Sequence, residues 1–191
     1  MTKIELRKIY LAKQKSLSLS ERNRKSKQIA DKLFDSFDFG KIRFLHCFLP
    51  IARTNEIDTN LIFKQIWKQF PHVKTLASRI NFQKNEIENL ELTAVTRLKQ
   101  NQWQIDEPSG NEIVEAKEID IVLVPLLCFD QRGFRVGYGK GFYDKLLKDC
   151  RTDCLKIGLS YFAPVARIMD VRKFDVQLDF CVTPEKIVSC K

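Results

Sequence analysis

The chain has 191 residues, of which 44% are hydrophobic and 30% are charged, a composition typical of globular proteins. No apolar run is long enough to cross a bilayer, and the charged start MTKIELRKIYLAKQK lacks the apolar core of a signal peptide. We therefore expect a cytoplasmic protein with no membrane partner, whose net charge of +9 favours anionic ligands such as nucleotides, phosphates, carboxylates or nucleic acids.

The first half of the chain predicts two helices and then an alternation of strands and helices. Ser18 and Glu21 form a capping-box pattern, which marks the start of the second helix. A short apolar run that stops at Pro50 is typical of a buried strand. The predicted elements are helices over 3–16 and 18–37, a strand over 42–50, a helix with Asp58 as its N-cap, and strands over 73–78 and 90–95.

The second half begins with a segment, 103–113, that is predicted to be a loop around Pro108 and Gly110. Residues 119–125 then form a β-branched, nearly apolar run suited to the centre of a covered sheet. A helix over 142–150, a strand over 155–161 and a last strand within 174–184 follow. Strands that alternate with helices predict an α/β fold with a largely parallel sheet, and no linker divides residues 1–191 into more than one domain.

Four of the seven glycines lie in one stretch, GFRVGYGKGFYD, at 133–144. Exposed backbone N–H groups, the start of the following helix and the cations Arg135 and Lys140 favour a cradle for phosphate groups. Asp144 can supply an oxygen ligand for Mg²⁺. The alternative interpretation is a tight turn between a strand and a helix. Neither a Walker A loop nor a dinucleotide fingerprint fits, because Lys140 is followed by Gly141 and Phe142.

The same stretch resembles a known protein family. VPLLCFDQRGFRVGYGKGFYDKLL is similar to the signature of the 5-formyltetrahydrofolate cyclo-ligases, also called 5,10-methenyltetrahydrofolate synthetases. KIELR at 3–7, PIARTNEIDT at 50–59, WQIDEP at 103–108 and VTP at 182–184 match further segments of the family pattern in the same order. Phe142 replaces the first tyrosine of the family's Tyr-Tyr pair, and Tyr138 stands where some relatives have Arg or Gly.

The resemblance implies a single-domain, three-layer α/β/α sandwich with a Rossmann-like, largely parallel sheet. It also implies an enzyme that uses ATP and Mg²⁺ to convert 5-formyltetrahydrofolate, with or without a polyglutamate tail, into 5,10-methenyltetrahydrofolate. We expect this enzyme to be a monomer. In the implied reaction the formyl oxygen is phosphorylated, N10 closes the ring, and ADP and phosphate are released. No covalent protein nucleophile is needed, which agrees with the lack of a Cys-His or Ser-His pattern.

The family motifs also imply roles for individual residues. Lys140 and Arg135 are the implied catalytic cations. Asp144 and, by a looser match, Asp175 are the implied metal ligands, although Asp179 lies close enough to be confused with Asp175. The implied folate contacts are Glu56, Trp103 and Tyr143, and the implied ATP contacts are Lys3, Arg7, Arg135, Gly137, Tyr138, Gly139, Lys140, Gly141, Phe142 and Tyr143.

Two other functions remain open from the residues alone. A basic nucleic-acid-binding domain would account for the net charge, but the sequence has no zinc finger, no aromatic RNA-binding strand motif and no base-reading helix. We therefore expect no nucleic-acid partner. A sugar-phosphate enzyme that does not use ATP would account for the glycine-rich loop, but a carboxylate beside a phosphate cradle is better explained by a metal ion between them.

Overall fold

The computed structural model describes residues 1–110 and 112–190. Within these residues the helices are α1 (Lys3–Lys15), α2 (Leu19–Ser36), α3 (Asn60–Gln69) and α4 (Phe142–Asp149). The strands are β1 (Phe44–Cys47), β2 (Lys74–Asn81), β3 (Glu86–Glu91), β4 (Leu98–Gln100), β5 (Asp106–Pro108), β6 (Ile113–Val114), β7 (Ile121–Pro125), β8 (Cys128–Phe129), β9 (Arg135–Val136), β10 (Leu155–Leu159), β11 (Phe180–Val182) and β12 (Ile187–Ser189).

The central sheet has eight strands in the order β12-β11-β10-β7-β1-β2-β3-β6. The five strands from β11 to β2 run parallel to their neighbours, while β12 at one edge and β3 and β6 at the other pair in antiparallel fashion. Two short antiparallel pairs, β4-β5 and β8-β9, lie outside this sheet. The prediction of an α/β fold with a largely parallel sheet is confirmed.

Helices cover both faces of the sheet, because alternate residues of the central strands point to opposite sides. In β7, Ile121 and Leu123 belong to the apolar cluster that also contains buried residues of α2 and α3. Val122 and Val124 belong to the opposite cluster, which includes buried residues of α4. This arrangement is the predicted three-layer sandwich. The N-terminal helix α1 joins it through Leu6, which packs against the β8-β9 hairpin.

The capping signal predicted for the second helix is present. Ser18 and Glu21 form a reciprocal capping box at α2, and Thr2 and Glu5 form another at α1 that was not predicted. The third helix begins two residues after its predicted cap, with Thr59 as the N-cap residue. The side chain of Asp58 still accepts the backbone N–H of Asn60 at 3.2 Å, so it satisfies one of the free donors at the start of the helix.

The sequence predictions at the β3-β6 edge of the sheet were wrong in position. The strand predicted over 90–95 is β3, which begins at Glu86 and pairs with β2 in a hairpin. The predicted loop over 103–113 contains β5 and the first residue of β6, and it includes Asn111, which lies outside the described residues. Strands of two or three residues are too short to show an alternating pattern, so sequence periodicity does not reveal them.

The other strand predictions differ mainly in length. The strand predicted over 42–50 is the shorter β1, and the strand predicted over 73–78 is the longer β2. The last predicted strand is β11, followed by β12, which was not predicted. None of the described helices is both long and apolar enough to cross a membrane.

Candidate active site

A cavity of about 600 Å³ lies at the carboxyl ends of the central strands. Phe48 and Leu49, which follow β1, and Pro125, which ends β7, form part of its lining. This is the usual location of a ligand site in an open α/β sheet. The residues implied by the family motifs all line it: Lys3, Arg7, Glu56, Trp103, Arg135, Gly137, Tyr138, Gly139, Lys140, Gly141, Phe142, Tyr143, Asp144 and Asp175.

Arg135 and Asp144 form a largely buried ion pair in the wall of this cavity. Arg135 Nη2 donates to Asp144 Oδ1 at 2.7 Å, and Arg135 Nη1 donates to the carbonyl oxygen of Val176 at 2.6 Å. The Arg135 side chain is only 6% exposed. Burial lowers its pKa, and the carboxylates of Asp144 and Asp175 oppose that effect. The guanidinium is therefore held rigidly beside the start of α4.

The helix α1 brings two further cations to the cavity from the other end of the chain. Lys3 Nζ donates to Asp175 Oδ2 at 2.5 Å, and the backbone N–H of Lys3 donates to Asp170 at 2.6 Å. Arg7, one turn later on the same face, donates from Nε to the carbonyl oxygen of Gly137 at 2.9 Å. These contacts attach α1 to both the glycine-rich loop and the segment 170–175.

The glycines of the loop have different structural roles. Gly139 has φ +96°, and a Cβ atom at this position would lie 3.3 Å from Cζ of Arg7. Gly141 has φ +73° and is the N-cap residue of α4. Gly133 lies outside the cavity lining, in the β8-β9 turn, where a Cβ atom would meet the carbonyl oxygen of Leu178 at 2.5 Å. Its role is therefore in folding, and the possible cradle is formed by residues 137–141.

An aromatic group lines another part of the same cavity. The rings of Trp103 and Phe142 lie 6.2 Å apart, and the exposed ring of Phe82 packs edge-on against Trp103 at 4.8 Å. Lys140 Nζ lies 5.3 Å from the centre of the Trp103 ring. The ammonium group of Lys140 is thus next to both the glycine-rich loop and an aromatic surface suited to a flat ring.

Glu56 is a buried carboxyl group in the cavity wall. Its Oε2 accepts the backbone N–H of Ile51 at 2.7 Å, and its side chain interacts with the Tyr138 hydroxyl. Burial raises the pKa of Glu56 to about 7, and these interactions only partly oppose the shift. Tyr138, predicted as an ATP contact, therefore lies against the predicted folate contact and connects the glycine-rich loop to it.

Several polar residues that shape this cavity were not expected from the sequence. Gln14 donates from Nε2 to the Tyr138 hydroxyl at 3.0 Å and to the carbonyl oxygen of Thr54 at 2.8 Å. Its spacing from Lys3 and Arg7 places the three side chains on one face of α1, a signal that the sequence contains. Asp170 and Ser78, which also line the cavity, have no such signal, because the chain fold alone brings them there.

The carboxylates of Asp144 and Asp175 fit a magnesium ion that is also bound by phosphate oxygens. Within the described residues, Asp144 Oδ1 and Asp175 Oδ2 accept all the hydrogen bonds made by these two groups, so each carboxylate keeps one oxygen free. No group of three or more His, Cys, Asp or Glu side chains suited to a metal occurs in that part of the chain. Mg²⁺ commonly uses only one or two protein carboxylates together with phosphates and water.

Asp179, the sequence alternative to Asp175, is engaged at the edge of β10. Its Oδ2 accepts the backbone N–H of Lys156 at 2.8 Å and lies 3.8 Å from Lys156 Nζ. Asp175 is the acidic residue of this pair that lines the cavity.

Comparison with known proteins agrees with this architecture. Residues 1–184 match the model of the 5-formyltetrahydrofolate cyclo-ligase family. The mouse 5-formyltetrahydrofolate cyclo-ligase is 30% identical over 143 residues, which cover 71% of this chain and 68% of the mouse protein. The Haemophilus influenzae protein of the same name is 32% identical over 126 residues, which cover 64% of this chain and 67% of that protein.

Solved structures give the same result. The 5,10-methenyltetrahydrofolate synthetase of Aquifex aeolicus superposes with a TM-score of 0.84 at 30% identity, covering 100% of this chain and 94% of that one. The 5,10-methenyltetrahydrofolate synthetase of Mycoplasma pneumoniae superposes with a TM-score of 0.75 at 26% identity, covering 96% and 99%. On its sequence motifs, its fold and these relatives, the chain belongs to the 5-formyltetrahydrofolate cyclo-ligase family of ligases.

Proposed function

We propose that this protein uses ATP and Mg²⁺ to convert 5-formyltetrahydrofolate into 5,10-methenyltetrahydrofolate, with release of ADP and phosphate. The proposal rests on one observation, namely that a charged region and an aromatic region line the same cavity. Cations and a glycine-rich loop lie beside two carboxylates that keep free oxygens, while a buried carboxyl group and an aromatic surface lie in the same lining. The first environment suits a triphosphate and the second suits a pterin ring.

The glycine-rich loop and α1 are the proposed binding site for the triphosphate. The positive φ angles of Gly139 and Gly141 hold residues 137–141 in a conformation that exposes backbone to the cavity, at the start of α4. Lys3, Arg7 and Arg135 contribute positive charge around this loop, so each phosphate can be bound without a large rearrangement. Their contacts to Asp175, Gly137 and Asp144 hold these side chains in place before ATP arrives.

Lys140 is the proposed electrostatic catalyst. Its ammonium group lies at the junction of the glycine-rich loop and Trp103, so it faces the boundary between the proposed sites for ATP and folate. Phosphoryl transfer depends mainly on positioning and on stabilising charge on the transferring oxygens. A cation fixed at this boundary stabilises the transition state more than the bound reactants.

Asp144 and Asp175 are the proposed ligands of the metal, which would neutralise charge on the triphosphate when it is bound. Arg135 has a second role here, because its bond to Asp144 orients that carboxylate while leaving Oδ2 free. Lys3 acts in the same way on Asp175.

Glu56 and Trp103 are the proposed folate contacts. An ionised Glu56 accepts hydrogen bonds from the amino and N–H groups of a pterin, a charge-assisted pairing that also stabilises the buried carboxylate. Trp103 and Phe142 supply aromatic surface for a flat ring. Tyr143 lies between the two regions and contacts both Ser78 and the ring of His46.

The proposed reaction has two bond-forming steps. The formyl oxygen attacks the terminal phosphorus of ATP, the bond between that phosphorus and ADP breaks, and an N5-iminium phosphate forms. N10 then attacks the former formyl carbon and loses its proton, and the C–O bond breaks with release of phosphate. No protein side chain forms a covalent bond, so the chain contributes positioning, charge and exclusion of water.

The proposal is tested by mixing the purified protein with 5-formyltetrahydrofolate and Mg²⁺, with and without ATP, and following the near-ultraviolet absorbance of the methenyl product. We expect absorbance to grow only when ATP is present, with one ADP released per product. Product formed equally without ATP, or ATP hydrolysed without product, would contradict the proposal. Omission of Mg²⁺ in the presence of EDTA tests the metal requirement separately.

A further inference from the structure

His46 is a buried histidine beneath the cavity that the proposed reaction does not use. It lies in the centre of β1 and is fully buried. Its Nε2 is 3.2 Å from the hydroxyl oxygen of Ser78, and Nδ1 has no hydrogen-bond partner among residues 1–110 and 112–190. Ser78 Oγ is in turn 3.4 Å from the Tyr143 hydroxyl, and both Ser78 and Tyr143 line the cavity.

The protonation state of His46 is restricted by its surroundings. Burial lowers its pKa to about 3, so the ring is neutral near pH 7 and carries one hydrogen, on either Nδ1 or Nε2. A hydrogen on Nδ1 would be a buried donor without a partner. Buried N–H groups without partners are rarer in proteins than acceptors that lack one, because the lost hydrogen bond is costly.

We infer that His46 is a positioning residue that carries its hydrogen on Nε2 and donates it to Ser78, so that Ser78 and Tyr143 present a hydroxyl donor to the cavity. Because the Ser78 oxygen accepts from His46, the Ser78 hydroxyl hydrogen is free to be donated either to Tyr143 or to a ligand in the cavity. If Ser78 donates to the Tyr143 oxygen, the Tyr143 hydroxyl donates to the ligand instead. A phenol hydroxyl is both a donor and an acceptor, so Tyr143 is able to donate.

The ligand group that fits this donor is a carbonyl oxygen. Glu56, which lines the same cavity and acts electrostatically on the Tyr143 phenol, is an acceptor. A pterin ring has N–H donors next to a carbonyl acceptor, so Glu56 and the hydroxyl pair together match both kinds of group. This inference rests on the proposed function, and it assigns the pterin carbonyl oxygen to Ser78 and Tyr143.

The tautomer is tested directly in the wild-type protein by nitrogen NMR of ¹⁵N-labelled histidine, with the exposed His72 as an internal reference. We expect His46 to show a protonated Nε2 and an unprotonated Nδ1 that do not change between pH 5.5 and 8. A protonated Nδ1, or a ring that becomes charged in this range, would overturn the inference. This measurement does not depend on whether any variant folds.

The ligand contact is tested by measuring the affinity for 5-formyltetrahydrofolate and for its 4-amino analogue, which has an amino group in place of the carbonyl oxygen. Ser78→Ala and His46→Leu should each weaken binding of the carbonyl ligand about tenfold and change binding of the analogue by less than about twofold. His46→Gln keeps an N–H donor and should restore most of the affinity. In steady-state kinetics, the loss should appear in KM for the folate with kcat and KM for ATP nearly unchanged.

The outcomes separate this inference from the proposed function. Equal losses for both ligands, or no recovery with His46→Gln in a variant whose melting temperature matches wild type, would overturn the assignment of Ser78 and His46. Discrimination between the ligands without ATP-dependent product would contradict the proposed reaction and support the inference. A folded protein that binds neither ligand would contradict both.

Discussion

Lys140 and Arg135 both bring positive charge to the cavity, but the structure holds them differently. Arg135 is paired with Asp144 and largely buried, whereas Lys140 is exposed and contacts the Trp103 ring. Removing Lys140 therefore leaves no buried group without its partner. Substitution of Arg135 would remove the charged partner of Asp144 and the donor to the carbonyl oxygen of Val176. At the residue scale, Lys140 is thus the cleaner test of electrostatic catalysis.

We predict that Lys140→Ala lowers kcat by about 10²- to 10³-fold, because a fixed charge at the transferring group is lost. The melting temperature should change by less than about 2 °C, since exposed side chains contribute little to stability. Initial rates by absorbance and thermal unfolding by circular dichroism measure the two effects. Lys148→Ala, at an exposed position in the last turn of α4, is the matched control and should retain normal activity. Near-normal turnover of Lys140→Ala would remove it from the mechanism.

Asp144→Asn should affect stability as well as metal use. The substitution leaves the buried Arg135 guanidinium without its nearest carboxylate, and we expect a loss of about 1–3 kcal/mol in the free energy of unfolding. The Mg²⁺ concentration that gives half-maximal activity should rise about tenfold or more. Asp149→Asn, on an exposed position of the same helix, should change neither quantity. An unchanged Mg²⁺ requirement in Asp144→Asn would show that the metal is bound elsewhere.

Because the pKa of Glu56 is raised, its contribution to the free energy of unfolding falls as pH rises, whereas the contribution of a salt-bridged carboxylate increases with pH. The pKa rises from 4.5 to about 7 in the folded protein. Between these values the folded state holds the proton more tightly than the unfolded state, so this contribution is complete below pH 4.5 and is lost as pH rises through 7. At about 1.4 kcal/mol per pH unit, the loss is on the order of 3 kcal/mol.

Glu56→Gln removes this titration and should flatten the dependence of stability on pH. We expect the variant to be more stable than wild type at pH 8 and similar to it at pH 5, because the amide oxygen can still accept from Ile51. Urea unfolding at the two pH values measures the difference. A wild-type protein that becomes more stable from pH 5 to 8, relative to the variant, would contradict the raised pKa.

The sequence predicts the position of the glycine-rich loop well, but it does not show which of its glycines the backbone conformation requires. Gly137 and Gly139 both line the cavity, but only Gly139 has a positive φ and lies close to Arg7. A side chain at Gly137 would have nothing within 4 Å. The two glycines therefore form a matched pair for separating backbone strain from the loss of glycine itself.

We predict that Gly139→Ala raises KM for ATP about tenfold or more, whereas Gly137→Ala changes it by less than about threefold. Alanine at Gly139 is strained at φ +96° by about 1–2 kcal/mol and pushes against the Arg7 side chain. Steady-state kinetics with varied ATP gives the comparison. Equal effects of the two substitutions would show that the loop conformation is not what binds the nucleotide.

Elements with a strong local signal could be predicted from the sequence, and elements defined by pairing could not. The capping box of α2 and the β-branched run of β7 were placed correctly because their signals lie within a few residues. The strand β3 was predicted too late in the chain, since its extent depends on pairing with β2 that the sequence does not show. For the site, motifs indicated the residue types, but the ion pair of Arg135 with Asp144 and the contact of Tyr138 with Glu56 required the fold.

At the scale of the whole molecule, the cavity unites α1, the glycine-rich loop and the segment 170–175. A ligand that contacts all three should stabilise the complete fold and not a single loop. The net charge of +9 also favours any anion, so specific binding must be distinguished from attraction by charge. That residues 1–191 form one domain and remain monomeric stays a prediction, and Lys191, like Asn111, lies outside the described residues.

We predict that ATP with Mg²⁺, at a hundred times its Kd, raises the melting temperature by roughly 5–10 °C. Such saturation adds about 2.7 kcal/mol to the free energy of unfolding. At roughly 2–4 °C per kcal/mol for a chain of this length, that energy gives the expected range. Thermal unfolding with ATP and EDTA should give a smaller shift, and sodium sulfate at equal ionic strength a shift of less than 2 °C. Equal shifts with sulfate and Mg²⁺-ATP would indicate attraction by charge alone.

The bond between Lys3 and Asp175 joins residues 172 positions apart, and Lys3 also binds Asp170 through its backbone. During synthesis on the ribosome, α1 emerges well before the segment that binds its first turn. A nascent chain that ends before Asp175 therefore has no complete cavity, although most of the sheet can already pair. Measuring ligand binding by arrested nascent chains of increasing length would give the chain length at which the cavity first becomes able to bind its ligands.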